Sequence, residues 1–107
     1  MHVTKQHISE VTVTTAKQLL AEGNIVVVDV REASEYGAAH IDKTLLVTRG
    51  VLEFKIGAIP ELADKSKAVL VYCRSGGRSA LAAQTMQQLG YNNVLSMAGG
   101  FDAWQKA

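Results

Sequence analysis

Two short apolar runs set the limits on what this chain can fold into. Ile25-Val26-Val27-Val28-Asp29-Val30 is dominated by β-branched residues, and Ala68-Val69-Leu70-Val71-Tyr72 is apolar almost throughout. Neither alternates apolar with polar, so each reads as a strand buried on both faces, the habit of parallel sheets covered by helices. Parallel strands need long crossover connections. Strand-like and helix-like segments alternate along the chain and supply them, which points to an α/β fold.

The remaining elements follow from punctuation and period. Thr15 with Gln18 three residues later reads as a capping box before Leu19 and Leu20, and Gly23 closes that helix. A short helix is expected over 33–38, a short strand over 44–47 and a helix over 50–56. Leu81, Ala82, Met86 and Leu89 recur at helical spacing, so a helix covers 79–89 and Gly90 ends it. A last strand is expected over 94–97 and a final helical turn or two over 101–106. The length of 107 residues fits one domain spanning 1–107, and at 48% the hydrophobic share is enough for a packed core. In open parallel sheets, ligands bind outside the carboxyl ends of the strands. Asp29, Val30 and Arg31 should therefore share one edge with Cys73.

Charge and cysteine count narrow the function classes. The net charge is +1, so no global basic field marks a nucleic-acid binder. A single cysteine excludes an internal disulfide and a thiolate-rich zinc site, and His2, His7 and His40 are scattered. Residues 1–10 are polar with no apolar core of a signal peptide, and no apolar run is long enough to span a bilayer. The expected location is cytoplasmic, with no membrane partner.

The lone thiol sits in a distinctive place. Cys73-Arg74-Ser75-Gly76-Gly77-Arg78-Ser79 joins the second apolar run to the 79–89 helix, and two of the four arginines fall inside it. Unpaired N–H groups and the dipole at a helix start favour negative charge, and a turn of successive N–H groups forms an anion-binding concavity. Those groups and nearby cations lower a cysteine pKa toward the nucleophilic thiolate. Gly76 and Gly77 let the backbone curl around the sulfur, and Arg74 and Arg78 offer planar donors for an oxyanion. A lone cysteine is more often a buried structural residue. Here the double-glycine, double-arginine context favours a catalytic Cys73, with Arg74, Ser75, Gly76, Gly77, Arg78 and Ser79 binding substrate. Asp29, Arg31 and Glu35 read as supporting residues: the carboxylate at a strand end takes backbone N–H bonds, and Arg31 could pair with Glu35. His40 reads as a hydrogen-bonded loop residue. Phe101 and Trp104, three apart, read as core on one helical face, and Gly99-Gly100 as backbone geometry.

Cys73, Gly76 and Arg78 resemble the Cys-x-x-Gly-x-Arg loop of the rhodanese family, which is followed by Ser or Thr. Val28-Asp29-Val30-Arg31-Glu32, Glu35-Tyr36 and His40-Ile41 resemble the family's first conserved stretch. Arg49-Gly50-Val51-Leu52-Glu53-Phe54 and Gly99-Gly100-Phe101 with Trp104 resemble later ones. The chain departs from the pattern at Ala39, usually glycine, at Asp42-Lys43, commonly Pro-Gly, and at Thr48, often proline.

The resemblance implies a rhodanese-like sheet of about five mostly parallel strands flanked by helices. It implies a sulfurtransferase in which Cys73 takes a sulfane sulfur from a small anionic donor such as thiosulfate and holds it as a persulfide. The sulfur then passes to an external thiol or cyanide, or to a sulfur-relay protein, without metal or other cofactor. A phosphatase or arsenate reductase on the same fold remains a rival. Those enzymes place five residues between cysteine and arginine, whereas four separate Cys73 from Arg78. A non-catalytic module, and a sulfur carrier within a relay, are the other readings.

Overall fold

The two apolar runs form the centre of one sheet. The computed structural model describes residues 9–23, 25–41, 43–48, 52, 56–75 and 77–106. In chain order its elements are β1 (Ser9–Val11), α1 (Val13–Glu22), β2 (Ile25–Asp29), α2 (Ala33–Ala38), β3 (Leu45–Leu46), β4 (Ala68–Tyr72), α3 (Gly77–Gln88), β5 (Val94–Met97) and α4 (Gly100–Lys106). Short 3-10 turns occupy Ile56–Ala58 and Pro60–Leu62. The strands lie in the order β1-β5-β4-β2-β3, and every neighbouring pair is parallel. The expected five-stranded α/β architecture is the one found. The fifth strand, β1, is an element that hydrophobic patterning misses. It has three residues, two of them exposed, and it exists because it pairs with β5 at the sheet edge.

Side-chain alternation sorts the central strands between two cores. Val28, Val69 and Val71 join Ala80, Ala82, Ala83 and Met86 of α3 on one face. Val27, Leu70 and Tyr72 join Val13 and Ala16 of α1 and Phe101 of α4 on the other. Both faces of β2 and β4 are thus covered, which is why neither run alternates with polar residues. Burying each such valine or leucine contributes about 1.5–3 kcal/mol relative to leaving it in water. The same alternation fixes the site: Tyr72 points to the α1/α4 side, and Cys73, one residue later, packs with the α3 side.

Boundaries agree with expectation for 33–38, 68–72 and 94–97, and within two residues for β2, β3, α3 and α4. The start of α1 corrects the Thr15–Gln18 capping box. The cap is Thr12, whose Oγ1 accepts the Thr15 N–H at 3.2 Å, and the helix begins at Val13. Thr15 is inside the helix, and the upstream Thr12 won because β1 delivers the chain there in extended conformation (ψ 166). Gly23 does close α1, in left-handed conformation (φ 79), donating to the Leu19 and Leu20 carbonyls. The expected 50–56 helix falls mostly outside the described residues; within it Leu52 is helical and buried. Ala39 is extended (φ −168), so alanine sits there without strain. Among the described residues of this stretch the left-handed one is Lys43 (φ 63), one of the two positions where the family commonly has Pro-Gly.

Candidate active site

Cys73 follows the last residue of β4, and four residues later the chain enters α3 at Gly77. Its side chain is buried, and Sγ lies 3.7 Å from Ser79 Oγ in the first turn of α3. Ser79 Oγ is in turn 2.8 Å from Ser96 Oγ on β5. Both serines are fully buried. The thiol thus joins a buried pair of hydroxyls connecting the loop, the helix and the next strand. A buried hydroxyl without a partner is costly, so each member holds the next in place.

A second contact fixes the loop backbone from the opposite side. The carbonyl of Cys73 accepts the Phe101 N–H at 2.7 Å, and that of Arg74 accepts the Asp102 N–H at 3.0 Å. The start of α4 therefore grips the two residues that begin the loop. Gly99 and Gly100 make the approach feasible: both have positive φ (76 and 59), and a Cβ on Gly100 would lie 2.4 Å from the Cys73 oxygen. This is the backbone geometry expected of the glycine pair.

Asp29 ends β2, in register with Tyr72, so its carboxylate reaches the same sheet edge. Its Oδ1 accepts the Arg31 N–H at 2.8 Å, and both oxygens take the Arg31 guanidinium through Nε and Nη2. Nη2 also donates to the Ala39 carbonyl. The guanidinium lies 4.3 Å from the Phe101 ring centroid and 5.6 Å from that of Tyr72. Burial works against this charge, but the hydrogen bonds and charge of Asp29 outweigh it and hold the Arg31 pKa above its usual value. Arg31 is thus gripped by Asp29, two residues back. Glu35 instead accepts the Glu32 N–H at 3.0 Å and caps α2. Burial pushes the Tyr72 phenol up to about 12, while its oxygen accepts the Ile41 N–H.

Of the loop residues, Arg74 and Ser75 are exposed. Arg74 Nε is 3.8 Å from an Asp102 carboxylate oxygen. Gly76 and the Arg78 side chain lie outside what the structure describes. Between α2 and α4 a cleft of about 320 Å³ opens beside the loop, lined by Arg31, Glu35, Arg74, Phe101, Asp102 and Gln105, with Ala38 and Ala39 at its wall. His40 stands outside this lining; it stacks on Tyr36 and bonds the Tyr36 carbonyl through Nδ1, as a loop residue.

The structure therefore brings Cys73, Arg74 and Ser79 together with Asp29 and Arg31 at one end of the sheet, while Glu35 lines the cleft beside them and its charge acts on Arg31. Ser96 and Asp102 are site residues that sequence reasoning missed. Ser96 left a signal, a hydroxyl amid Val94, Leu95 and Met97 in a buried strand. Asp102 left none, because its role depends on α4 docking against Arg74.

A family model for the Rhodanese-like domain matches residues 12–107. The chain is 37% identical over 90 residues to the thiosulfate sulfurtransferase GlpE of Coxiella burnetii, covering 84% of this chain and 80% of that one. Among solved structures it is similar to a Rhodopseudomonas palustris protein of unknown function described as a "possible tyrosine phosphatase". The identity there is 35% and the TM-score 0.89, over 96% of this chain and 83% of that one. The human single-domain sulfurtransferase TSTD1 superposes with a TM-score of 0.82 at 24% identity, over 91% and 95% of the two chains. That last likeness bears on the fold alone.

Proposed function

The chain belongs to the rhodanese-like family, and from that premise we propose that it is a sulfurtransferase working through a persulfide on Cys73. What supports the reading is the environment of the thiol: a single buried cysteine between a strand end and a helix start, against the Ser79–Ser96 hydroxyl pair. The GlpE relative carries the same activity in its name.

In the first half-reaction the Cys73 thiolate attacks the sulfane sulfur of an anionic donor such as thiosulfate, and sulfite leaves with the electron pair of the broken S–S bond. Arg74 and Arg78 hold the donor oxygens. Ser79 turns its hydroxyl toward the sulfur once the thiol proton is gone, and Ser96 donates to Ser79 in turn. Backbone N–H groups of residues 74–79 stabilise the thiolate and then the persulfide. In the second half-reaction an acceptor attacks the outer sulfur and Cys73 leaves as thiolate. Splitting the transfer this way is covalent catalysis with ping-pong kinetics. Cys73 is the chain's one cysteine, so the acceptor is external. A role as a carrier in a sulfur relay uses the same two steps with a protein acceptor.

Incubation with thiosulfate should add one sulfur atom to the intact protein, removable by cyanide or a reductant, and Cys73→Ser should abolish the addition. An unchanged mass with the thiol reduced and accessible would overturn the mechanism. The Rhodopseudomonas palustris relative keeps a phosphatase reading in view. A phosphoryl group must have three equatorial oxygens satisfied at once, and four residues between Cys73 and Arg78 make a short cradle. Aryl-phosphate hydrolysis should be negligible. Cys73-dependent phosphatase turnover without persulfide would replace the sulfurtransferase reading.

A further inference from the structure

A second cavity opens at the amino end of β2, the end of the sheet away from the Cys73 loop. We infer that it is a binding site for a medium-chain aliphatic carboxylate, whose tail lies between α1 and β2 and whose head meets Lys43.

The sheet itself leaves the opening. β3 pairs with β2 only at Val28 and Asp29, so among the described residues no strand runs beside Ile25–Val27 on that side. On the face above, α1 stops at Glu22 and turns at Gly23, where an added Cβ would meet no atom within 4 Å. The space left is about 410 Å³, a usual size for a small-ligand site. The buried Val27 and the half-buried Leu20 and Ile25 line it. These side chains are aliphatic and offer no hydrogen bond, so a sugar or a nucleotide would lose its water there without replacement. A hydrocarbon tail would not.

Lys43 supplies the chemistry for a head group. It is the charged residue of the described lining, and no carboxylate among the described residues pairs with it. Its backbone is left-handed (φ 63), which glycine adopts freely and lysine only with strain. Strained positions cluster at functional sites. What lysine brings that glycine lacks is an apolar stem and one positive charge beside an apolar cavity. A single exposed ammonium matches a singly charged carboxylate; a phosphate, with three acceptor oxygens, calls for more donors. A neutral lipid would leave the charge unused, and a short acid would leave the aliphatic walls in water.

The test is a titration of the untreated protein with decanoate, kept below its micelle concentration and followed by amide resonances. It needs no sulfur transfer, so it stands apart from the sulfurtransferase reading. Decanoate should shift Gly23, Ile25, Val27 and Lys43 saturably and leave Cys73 and Arg74 in place. Octanoate should bind about fifteenfold more weakly, because each buried methylene is worth about fourfold. Decanol, the same tail without the charge, should bind about fivefold more weakly than decanoate, the effect of an ion pair that stays open to water. In Lys43→Gly the two should bind alike, whereas Lys43→Arg should keep the preference for the acid. Taking the ratio of acid to alcohol removes any change in packing that either variant brings. Absence of a saturable shift, equal affinity of the unaltered protein for decanoate and decanol, or a preference that survives Lys43→Gly would each overturn the proposal. So would shifts centred on Arg31 and Arg74, or the tripeptide Ala-Ala-Leu binding at Gly23 and Lys43 where decanoate does not.

Discussion

At the scale of single residues, Gly100 is the position with the least freedom. Its φ of 59 is left-handed, and its missing Cβ is the space occupied by the Cys73 and Arg74 backbone. An added methyl would have to push apart the Phe101–Cys73 and Asp102–Arg74 hydrogen bonds that anchor the loop. Gly100→Ala should therefore destabilise the protein by about 3 kcal/mol or more, combining backbone strain with a clash against backbone that has no rotamer to escape into. Thiosulfate loading should fall along with it. Denaturant midpoints and the loading rate check both, and near-wild-type values would mean that α4 can retreat without disturbing the thiol. The motif around Gly99-Gly100 was legible as backbone geometry, but its partner was not: nothing local in residues 99–101 points to Cys73.

At the scale of elements, the ends are where local sequence misleads. Thr12, Thr14 and Thr15 all precede Leu19 and Leu20 of α1, and the one with a glutamine three residues on, Thr15, looked like the cap. Thr12 holds the position instead. Thr12→Ala should cost about 1 kcal/mol, as lost N-caps do. Thr15→Ala should cost clearly less, because an exposed helical threonine gains from replacement by alanine, offsetting its contact with Thr12. Thermal melts of the two variants decide between the registers. The stretch leading to β3 holds the other test. Lys43 is left-handed at φ 63, a conformation costing an L-residue roughly 1–2 kcal/mol, partly returned by the extra unfolded-state freedom of glycine. Lys43→Gly should raise stability by about 0.5–1 kcal/mol, and a loss of stability would show that the lysine side chain has packing value there.

At the scale of the whole molecule, Tyr72 ties the halves of the site together. Its ring lies near Arg31 and 6.0 Å from that of Phe101, and its hydroxyl oxygen accepts the Ile41 N–H on the far side of α2. Burial favours the neutral phenol and raises its pKa from 10.0 to about 12. The folded chain therefore holds this proton more tightly than the unfolded one. Its contribution to stability is intact below about pH 10 and is lost as the pH climbs toward 12. Burial pushes Tyr91 the same way, so it adds to the alkaline loss. Tyr72→Phe should cost about 1–2 kcal/mol at neutral pH by leaving the Ile41 N–H without its acceptor. It should also flatten the decline above pH 10, which denaturation across pH 8–12 would reveal. An unchanged alkaline slope would assign that loss to other groups.

Physical periodicity explains which parts of this molecule could be read without coordinates. Strands buried on both faces must be apolar throughout, so Ile25–Asp29 and Ala68–Tyr72 announce themselves, and with them the sheet edge where Cys73 emerges. A loop of one thiol, two glycines and two arginines is likewise a local pattern, and it pointed to the same chemistry as the family. What the chain could not state locally are relations between segments distant in sequence. β1 is a strand only because β5 offers it a ladder. Ser96 matters only because α3 brings Ser79 above it, 17 residues away in sequence. Arg31 takes its side-chain hydrogen bonds to Asp29 because the strand end turns both groups inward, while α2 uses Glu35 for its own cap and the Glu35 charge still acts on Arg31. The cleft that joins Arg31 to Asp102 exists only once α2 and α4 share one face, because its lining is assembled from residues some seventy positions apart.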